Sequence, residues 1–342
     1  MNALSSLVLA VILAALAYMG GQIDGLRLLF GVIVPYAAIL IFLGGLCYQV
    51  ILWAQTPVPF RITTTSGQQK SLPWIKAGWL ESPWTTLGVI ARMTLEVLLF
   101  RSLFRNTRAD LRARSRLVYG EEKFLWLAAL AFHWSFLTIF LRHLRFFMEP
   151  VPAFTNALAM LDGFFQIGAP VLYGTDVIIV LGLGYLLWRR LGDPQVRYVS
   201  LFADYFPLFL LLGLVLSGIL MRYFTRIDAM AVKQLAMGLV TFSPVVPKEA
   251  TPLLFMHLFL LSVLVAYFPF SKLMHMAGVF LSPTRNLANN NLMVRHINPW
   301  NAPVKVHTYE EWEEEFRDKI EEARSEERRV GKECRSRWSP YH

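Results

Sequence analysis

Four of the seven histidines, His133, His143, His257 and His275, sit where an ionisable side chain is expensive. The stretch 131–147, "AFHWSFLTIFLRHLRFF", carries His133 and His143 ten residues apart, with Arg142 and Arg145 beside the second. The stretch 253–275, "LLFMHLFLLSVLVAYFPFSKLMH", carries His257 and His275 eighteen residues apart. A neutral imidazole is a metal ligand, and the bond to iron offsets its cost in hydrocarbon. Two imidazoles from two helices at one depth can be the axial pair of a haem. Zinc fits less well, because no third or fourth ligand lies near either pair in sequence. For a single intramembrane histidine, packing or an interhelical hydrogen bond is a sufficient reason. Four in two matched pairs point to haem.

The elements that position these residues follow from composition. The chain has 342 residues, 55% hydrophobic and only 17% charged, with a mean hydropathy of +0.45. That describes a polytopic membrane protein rather than a soluble domain with one core. Apolar runs of about 20 residues or more give six expected spans: 2–20, 28–54, 122–147, 171–190, 203–224 and 252–280. The first lacks the basic region and cleavage site of a removable leader and reads as a retained span, with signal-anchor behaviour the other reading. The segment 84–104 carries Arg92, Glu96 and Arg101, and reads as an amphipathic helix in the interface rather than a seventh span. Cys47 falls inside an apolar run and reads as a buried inert thiol, and the cysteines form no zinc or iron–sulfur spacing.

Loop charge sets the expected orientation. Arg105, Arg108, Arg112, Arg114, Arg116 and Lys123 crowd one connection, and Arg189, Arg190 and Arg197 another, so both face the cytoplasm. The 148–170 loop has Glu149 and Asp162 but no Lys or Arg, and faces out with the 225–251 loop. The third and sixth spans are then antiparallel. His143 pairs with His257 near the outer face, and His133 with His275 near the inner face. As ideal helices, these spacings place His257 and His275 about 27 Å apart on one face, and His133 and His143 about 15 Å apart and about 80° out of phase. Arg142, Arg145 and Arg222 fall at the outer end, against the positive-inside bias. Haem propionates would supply them with partners, and snorkelling to lipid headgroups is the alternative for each.

The histidine spacings, together with "FADYFPLFLLLGLVLSGIL" at 202–220 and "VPYAAILIFLGGLCYQVILW" at 34–53, resemble the gamma subunit of respiratory nitrate reductase. The resemblance covers roughly 28–295. It implies an all-α integral membrane protein, a six-helix dihaem cytochrome b with bis-histidine haem b at His143/His257 (outer) and His133/His275 (inner), and quinol exchange near the outer haem. Three features depart from that subunit: an extra N-terminal span with its loop (1–27), a cytoplasmic insert (55–120), and a cytoplasmic extension, 296–323, which holds "NPWNAPVKVHTYEEWEEEFRDKIEEA". These look more like the membrane cytochrome b, the M subunit, of the dissimilatory sulfite reduction Dsr MKJOP complex. That family implies a prokaryotic inner-membrane location, menaquinone as substrate, a cytoplasmic iron–sulfur partner similar to heterodisulfide reductase, further membrane and periplasmic subunits, and no nucleic-acid partner. The quinol-binding lysine of the nitrate enzyme has no clear counterpart at 148–170. Glu149, Asp162 and Asp176 are proton-acceptor candidates by position, although Asp176 could equally serve a helix N-terminus. A nitrate reductase-like or heterodisulfide reductase-like cytochrome, a haem-free transporter and a membrane anchor are the competing readings.

The last 19 residues, 324–342, "RSEERRVGKECRSRWSPYH", break with everything before them. They match the in-frame translation of a common short-read sequencing adapter, and are expected to be a fusion scar rather than a basic tail. Without their six Lys/Arg and three Asp/Glu, the net charge falls from +9 to +6. Sequencing the coding DNA should read AGA TCG GAA GAG at Arg324–Glu327, and other codons there would restore the tail as native.

Overall fold

The computed structural model describes residues 2–56, 68–112, 116–166, 170–290, 292–293 and 307–322. The 324–342 tail, His296 and part of the 55–120 insert lie outside the described residues. In chain order the helices and strands of the first unit are α1 (Asn2–Gln22), α2 (Asp24–Leu28), α3 (Val34–Gln55), α4 (Thr86–Leu99), α5 (Arg101–Phe104), β1 (Thr107–Arg112), β2 (Arg116–Glu121) and α6 (Lys123–His143). There follow α7 (Ala153–Asp162), β3 (Gly163–Phe165), β4 (Leu172–Tyr173), α8 (Gly174–Gly192), α9 (Pro194–Val199), α10 (Phe202–Ile219), α11 (Ala229–Val240), α12 (Pro252–Tyr267), α13 (His275–Leu281) and α14 (Pro283–Asn286). Beyond Met293 lies a separate unit. Its helix α15 (Tyr309–Glu315) starts at a capping box in which Thr308 and Glu311 exchange hydrogen bonds.

Among the described residues, five helical stretches are long and apolar enough to cross a membrane: Asn2–Gln22, Asp24–Gln55, Lys123–Phe146, Phe202–Thr225 and Pro252–Phe270. Their outward faces are apolar, as a bilayer requires: Leu40, Phe140 and Phe224 are all exposed. Cys47 is exposed too, so the expected burial of that thiol does not hold. It sits on the outward face of α3. The expected span at 171–190 is the helix α8, which carries Asp176, Arg189 and Arg190 at its two ends and falls outside the five.

The core is shared by α8, α10 and α12, where Ile179, Leu183, Leu210 and Leu260 are fully buried. The N-terminal helix belongs to this bundle. α1 packs on both α10 and α12, and Ser6 donates to the Phe202 carbonyl at 3.3 Å. At Gly21, a Cβ would come within 3.0 Å of the Pro252 backbone, so glycine sets how closely α1 and α12 approach.

The last span is not one helix. α12 ends at Tyr267, two short 3-10 turns follow, and α13 begins at His275. Pro269 has no N–H to continue the ladder, and Ser271 is extended, with its side chain capping Leu273 N. The straight-helix spacing of His257 and His275 is thereby corrected.

The basic connections expected on one side do meet. Arg189 pairs with Glu122 at 3.0 Å and Arg108 with Asp193 at 2.9 Å. Within the insert, β1 and β2 form an antiparallel hairpin, and Glu81 is paired by both Arg101 and Arg105. The hydrogen bond from Arg101 holds the Glu81 carboxyl below its ordinary range. The segment after α13 laces onto the insert: buried Asn289 donates through its backbone N to the Pro83 carbonyl and through Nδ2 to Ser82.

Gly21→Leu should lower thermal stability in detergent by several degrees, an overpacking cost of about 1–3 kcal/mol. Gly25→Ala, with nothing within 4 Å of the added Cβ, should leave the melting temperature unchanged. Equal melting for both variants would remove the close α1–α12 approach as a constraint.

Candidate functional site

α6 supplies His133 and His143. It is clamped by two tryptophans to the end of α4: Trp126 Nε1 donates to the Leu99 carbonyl at 2.7 Å and Trp134 Nε1 to the Leu98 carbonyl at 3.1 Å. Phe100, in the left-handed region at φ 51°, terminates α4. Its ring centre lies 4.9 Å from that of His133. The insert therefore walls the His133 pocket.

His133 and His275 face each other, with ring centres 6.0 Å apart and planes at 80°. Two imidazoles binding one metal ion through Nε2 at about 2 Å have ring centres about 6 Å apart. At the other end, His143 and His257 lie close enough to interact electrostatically. A Cβ at Gly218 would lie 3.4 Å from His257 Cε1, at van der Waals contact, so α10 backs this imidazole closely. The structure thus brings together the histidines in the two pairs expected from the sequence.

All four imidazoles are held by Nδ1. His133 donates to the Ala129 carbonyl at 2.7 Å. His143 donates to the Ile139 carbonyl at 2.7 Å, and His275 to the Lys272 carbonyl at 2.7 Å. A carbonyl only accepts, so Nδ1 carries the proton and Nε2 keeps its lone pair. His257 Nδ1 lies 2.8 Å from Ser217 Oγ. The serine hydroxyl gives its own proton to the Leu214 carbonyl at 2.8 Å, and so accepts from the imidazole. One tautomer recurs four times, fixed by the protein and leaving the ligating nitrogen bare.

A charged cluster borders the His143 end. Arg142 is only 5% exposed. Its guanidinium lies 2.8 Å from Asp162 and 3.1 Å from Asp176, and 3.7 Å from the centre of the Tyr173 ring. Thr175 locks Asp162 through its backbone N at 2.9 Å and its hydroxyl at 2.6 Å. α10 continues into a π-helical turn, Leu220–Thr225, which sets Arg222 over the same Tyr173 ring at 4.2 Å. Arg222 also donates to the Val171 carbonyl at 3.0 Å. Tyr223 donates to Asp176 at 2.7 Å. Arg145 bonds the Arg142 carbonyl at 3.0 Å and stays outside the cluster. Glu149 is paired with Lys233 of α11.

Arg142 Nε and Nη1 and Arg222 Nε are buried without an aligned acceptor. Carboxylate oxygens from a haem would supply acceptors of the right charge. Among the described residues, no group of three or more His, Cys, Asp or Glu comes together. The donors come as pairs, which suits a macrocycle needing two axial ligands and not tetrahedral zinc. The residues present therefore fit haem. Sequence reasoning missed Ser217, Gly218, Tyr173, Thr175 and Tyr223. The small pair Ser217–Gly218, one helix away from a histidine, was the available signal for the first two.

Residues 79–297 match the family described as nitrate reductase gamma subunit. That stretch holds all four histidines and begins after α3, so the likeness noted at 34–53 lies outside it. The chain is 45% identical over 280 residues to the Hdr-like menaquinol oxidoreductase cytochrome b-like subunit of Archaeoglobus fulgidus, covering 80% of this chain and 83% of that protein. It is 41% identical over 273 residues to the protein of the same description from Archaeoglobus profundus, covering 78% and 81%. The chain belongs to the nitrate reductase gamma subunit family.

Proposed function

We propose that this protein is the dihaem b membrane subunit of a menaquinol-oxidising complex of the heterodisulfide reductase-like kind. The observation that carries the reading is the shared tautomer: four intramembrane histidines, each with Nδ1–H engaged so that Nε2 keeps its lone pair, with His133 facing His275 and His143 within electrostatic reach of His257. The relatives' description as menaquinol oxidoreductase cytochrome b-like subunits supports it. With α8 counted as a span beside the five long apolar helices, the bundle has six crossings and both termini are cytoplasmic. α8 then keeps Asp176 at the outer headgroup level and Arg189 and Arg190 at the inner one.

Bound at the two pairs, haem b supplies one-electron transfer across the membrane. His143 and His257 would hold the outer group, and His133 and His275 the inner one. Arg142 and Arg222 would present cationic nitrogens to its carboxylates at the outer end. Phe100 and Phe132 pack on His133, with ring centres 4.9 Å and 4.8 Å away. Quinol gives up its electrons near His143, protons leave on the outer side, and electrons exit at the inner side. There the basic 105–123 and 189–202 connections offer a docking surface to a cytoplasmic iron–sulfur subunit. The insert and the extension favour a sulfite-reduction Dsr MKJOP type of complex, with other membrane and periplasmic subunits, over a nitrate reductase.

A reduced-minus-oxidised spectrum of protein purified with haem supplied should show two low-spin b haems per chain. His143→Ala and His133→Ala should each leave one. Haem-free folded protein would refute the cytochrome assignment and favour a transporter or anchor. Ser217→Ala strips the His257 Nδ1–H of its acceptor without touching a ligand. Retention of the outer haem should weaken roughly tenfold, while the inner haem's absorbance stays unchanged.

A further inference from the structure

Phe100 closes α4 in the left-handed region, at φ 51° and ψ 49°. Helices commonly carry glycine at this position, and for a bulky side chain the conformation is strained. Glycine would end the helix without that cost, so the turn alone does not account for a phenylalanine. The strained residue is held from both sides. Upstream, Phe100 N donates to the Glu96 carbonyl at 3.1 Å, and the Leu98 and Leu99 carbonyls are taken by Trp134 and Trp126 of α6. Downstream, the Glu96 carboxylate accepts from Ser102 N at 3.0 Å and from the Ser102 hydroxyl. Arg285, in the segment beyond His275, meets the same carboxylate at 3.5 Å.

This scaffold sets one ring against one imidazole. Phe100 meets His133 with ring centres 4.9 Å apart and planes at 85°. Phe132, from α6 itself, abuts the same imidazole at 4.8 Å and 72°. Across the pair, His275 takes its orientation from the Lys272 carbonyl, and Lys272 is anchored through its ammonium on buried Asp204. The two imidazole planes stand at 80° to each other.

We infer that Phe100 is a positioning residue whose ring holds the His133 imidazole crossed to that of His275, so that the two would ligate the inner iron in crossed planes. The inference rests on the cytochrome reading above and concerns how its inner pair is tuned. A ligating imidazole donates π density to the iron d orbital that lies perpendicular to its plane. Parallel planes load one such orbital and split it from its neighbour, whereas crossed planes load both alike. Crossed ligation therefore gives ferric haem a strongly anisotropic low-spin EPR signal in place of a rhombic one. It also stabilises the ferric state less, which raises the potential of the inner iron. Phe100 brings neither charge nor hydrogen bond, so its leverage on the imidazole is steric.

The test is low-temperature EPR of the oxidised, haem-loaded protein in detergent, with a redox titration. The inner signal is identified by its loss in His133→Ala. Phe100→Gly is the informative variant, because glycine suits the left-handed turn and only the ring is removed. Both haems should stay bound. The inner signal should shift from strongly anisotropic toward rhombic and its midpoint potential should fall, with the outer haem unchanged. Phe100→Tyr, which keeps the ring, should retain the wild-type signal. If Phe100→Gly sheds the inner haem, Phe100→Leu is read by the same criteria. Two haems with an unaltered inner signal and potential in the ring-less variant overturn the inference and leave Phe100 a helix terminus. A rhombic inner signal in wild-type protein overturns it as well. Either result leaves the cytochrome reading standing, whereas absence of haem from folded wild-type protein is the separate failure of that reading.

Discussion

Arg142 is a full positive charge, 5% exposed, in a bundle whose outer faces are built for lipid. Its solvation must come from the protein, and the arrangement around it follows from that need. Asp162 comes from the end of α7, Asp176 from the first turn of α8, and Tyr173 from the strand between them. Each of those elements is therefore tied to α6. The short β3–β4 pairing that joins Gly163 to Tyr173 closes the same loop from the backbone side. The cluster holds two guanidinium groups, Arg142 and Arg222, and two carboxylates. Both carboxylates contact Arg142 directly, so the central charge has two counterions.

The two histidine pairs are positioned by different means. His133 and His143 sit on one uninterrupted helix and bond carbonyls one turn back, so their separation is fixed by helix geometry. His257 and His275 are separated by a break. Past Pro269 the chain is held by the Ser271 cap and by Lys272, whose ammonium meets buried Asp204 at 2.7 Å. The Lys272 carbonyl then orients His275. The break frees the second pair from the phase relation a straight helix would impose. Bringing His275 to face His133 needs such freedom, given that ten residues on α6 leave its own two histidines out of phase.

Much of the site was legible because membrane depth is nearly a function of sequence position. Apolar runs, loop charge and alternating helix direction suffice to pair His143 with His257 and His133 with His275. What was not legible lies in contacts between helices. Nothing local marks Ser217 as the partner of His257, since serine occurs in spans for many reasons. Arg142, Asp162 and Asp176 were each noticed, but as separate outer-face charges, because their meeting depends on how α7 folds back. The break at Pro269 was readable from "YFPFSK" and was overridden by the length of the apolar run. The hairpin at 107–121 was hidden by its basic composition, which reads as a cytoplasmic loop before it reads as strand. α8 illustrates the converse: its charged ends lower its apolar score although its middle, at Ile179 and Leu183, is fully buried.

The chemistry at the two ends of the bundle differs in kind. Around His133 and His275 the ion pairs, Arg189 with Glu122 and Lys272 with Asp204, stand at helix termini, and the imidazoles themselves meet aromatic rings. That environment can hold a redox group, and its buried carboxylate, Asp204, is already paired with Lys272 and Arg190. Around His143, the carboxylates are inside the bundle, one of them hydrogen-bonded to a tyrosine that faces a lipid-accessible slot. The two ends therefore differ in what surrounds the histidines: aromatic rings at His133, a charged cluster beside His143.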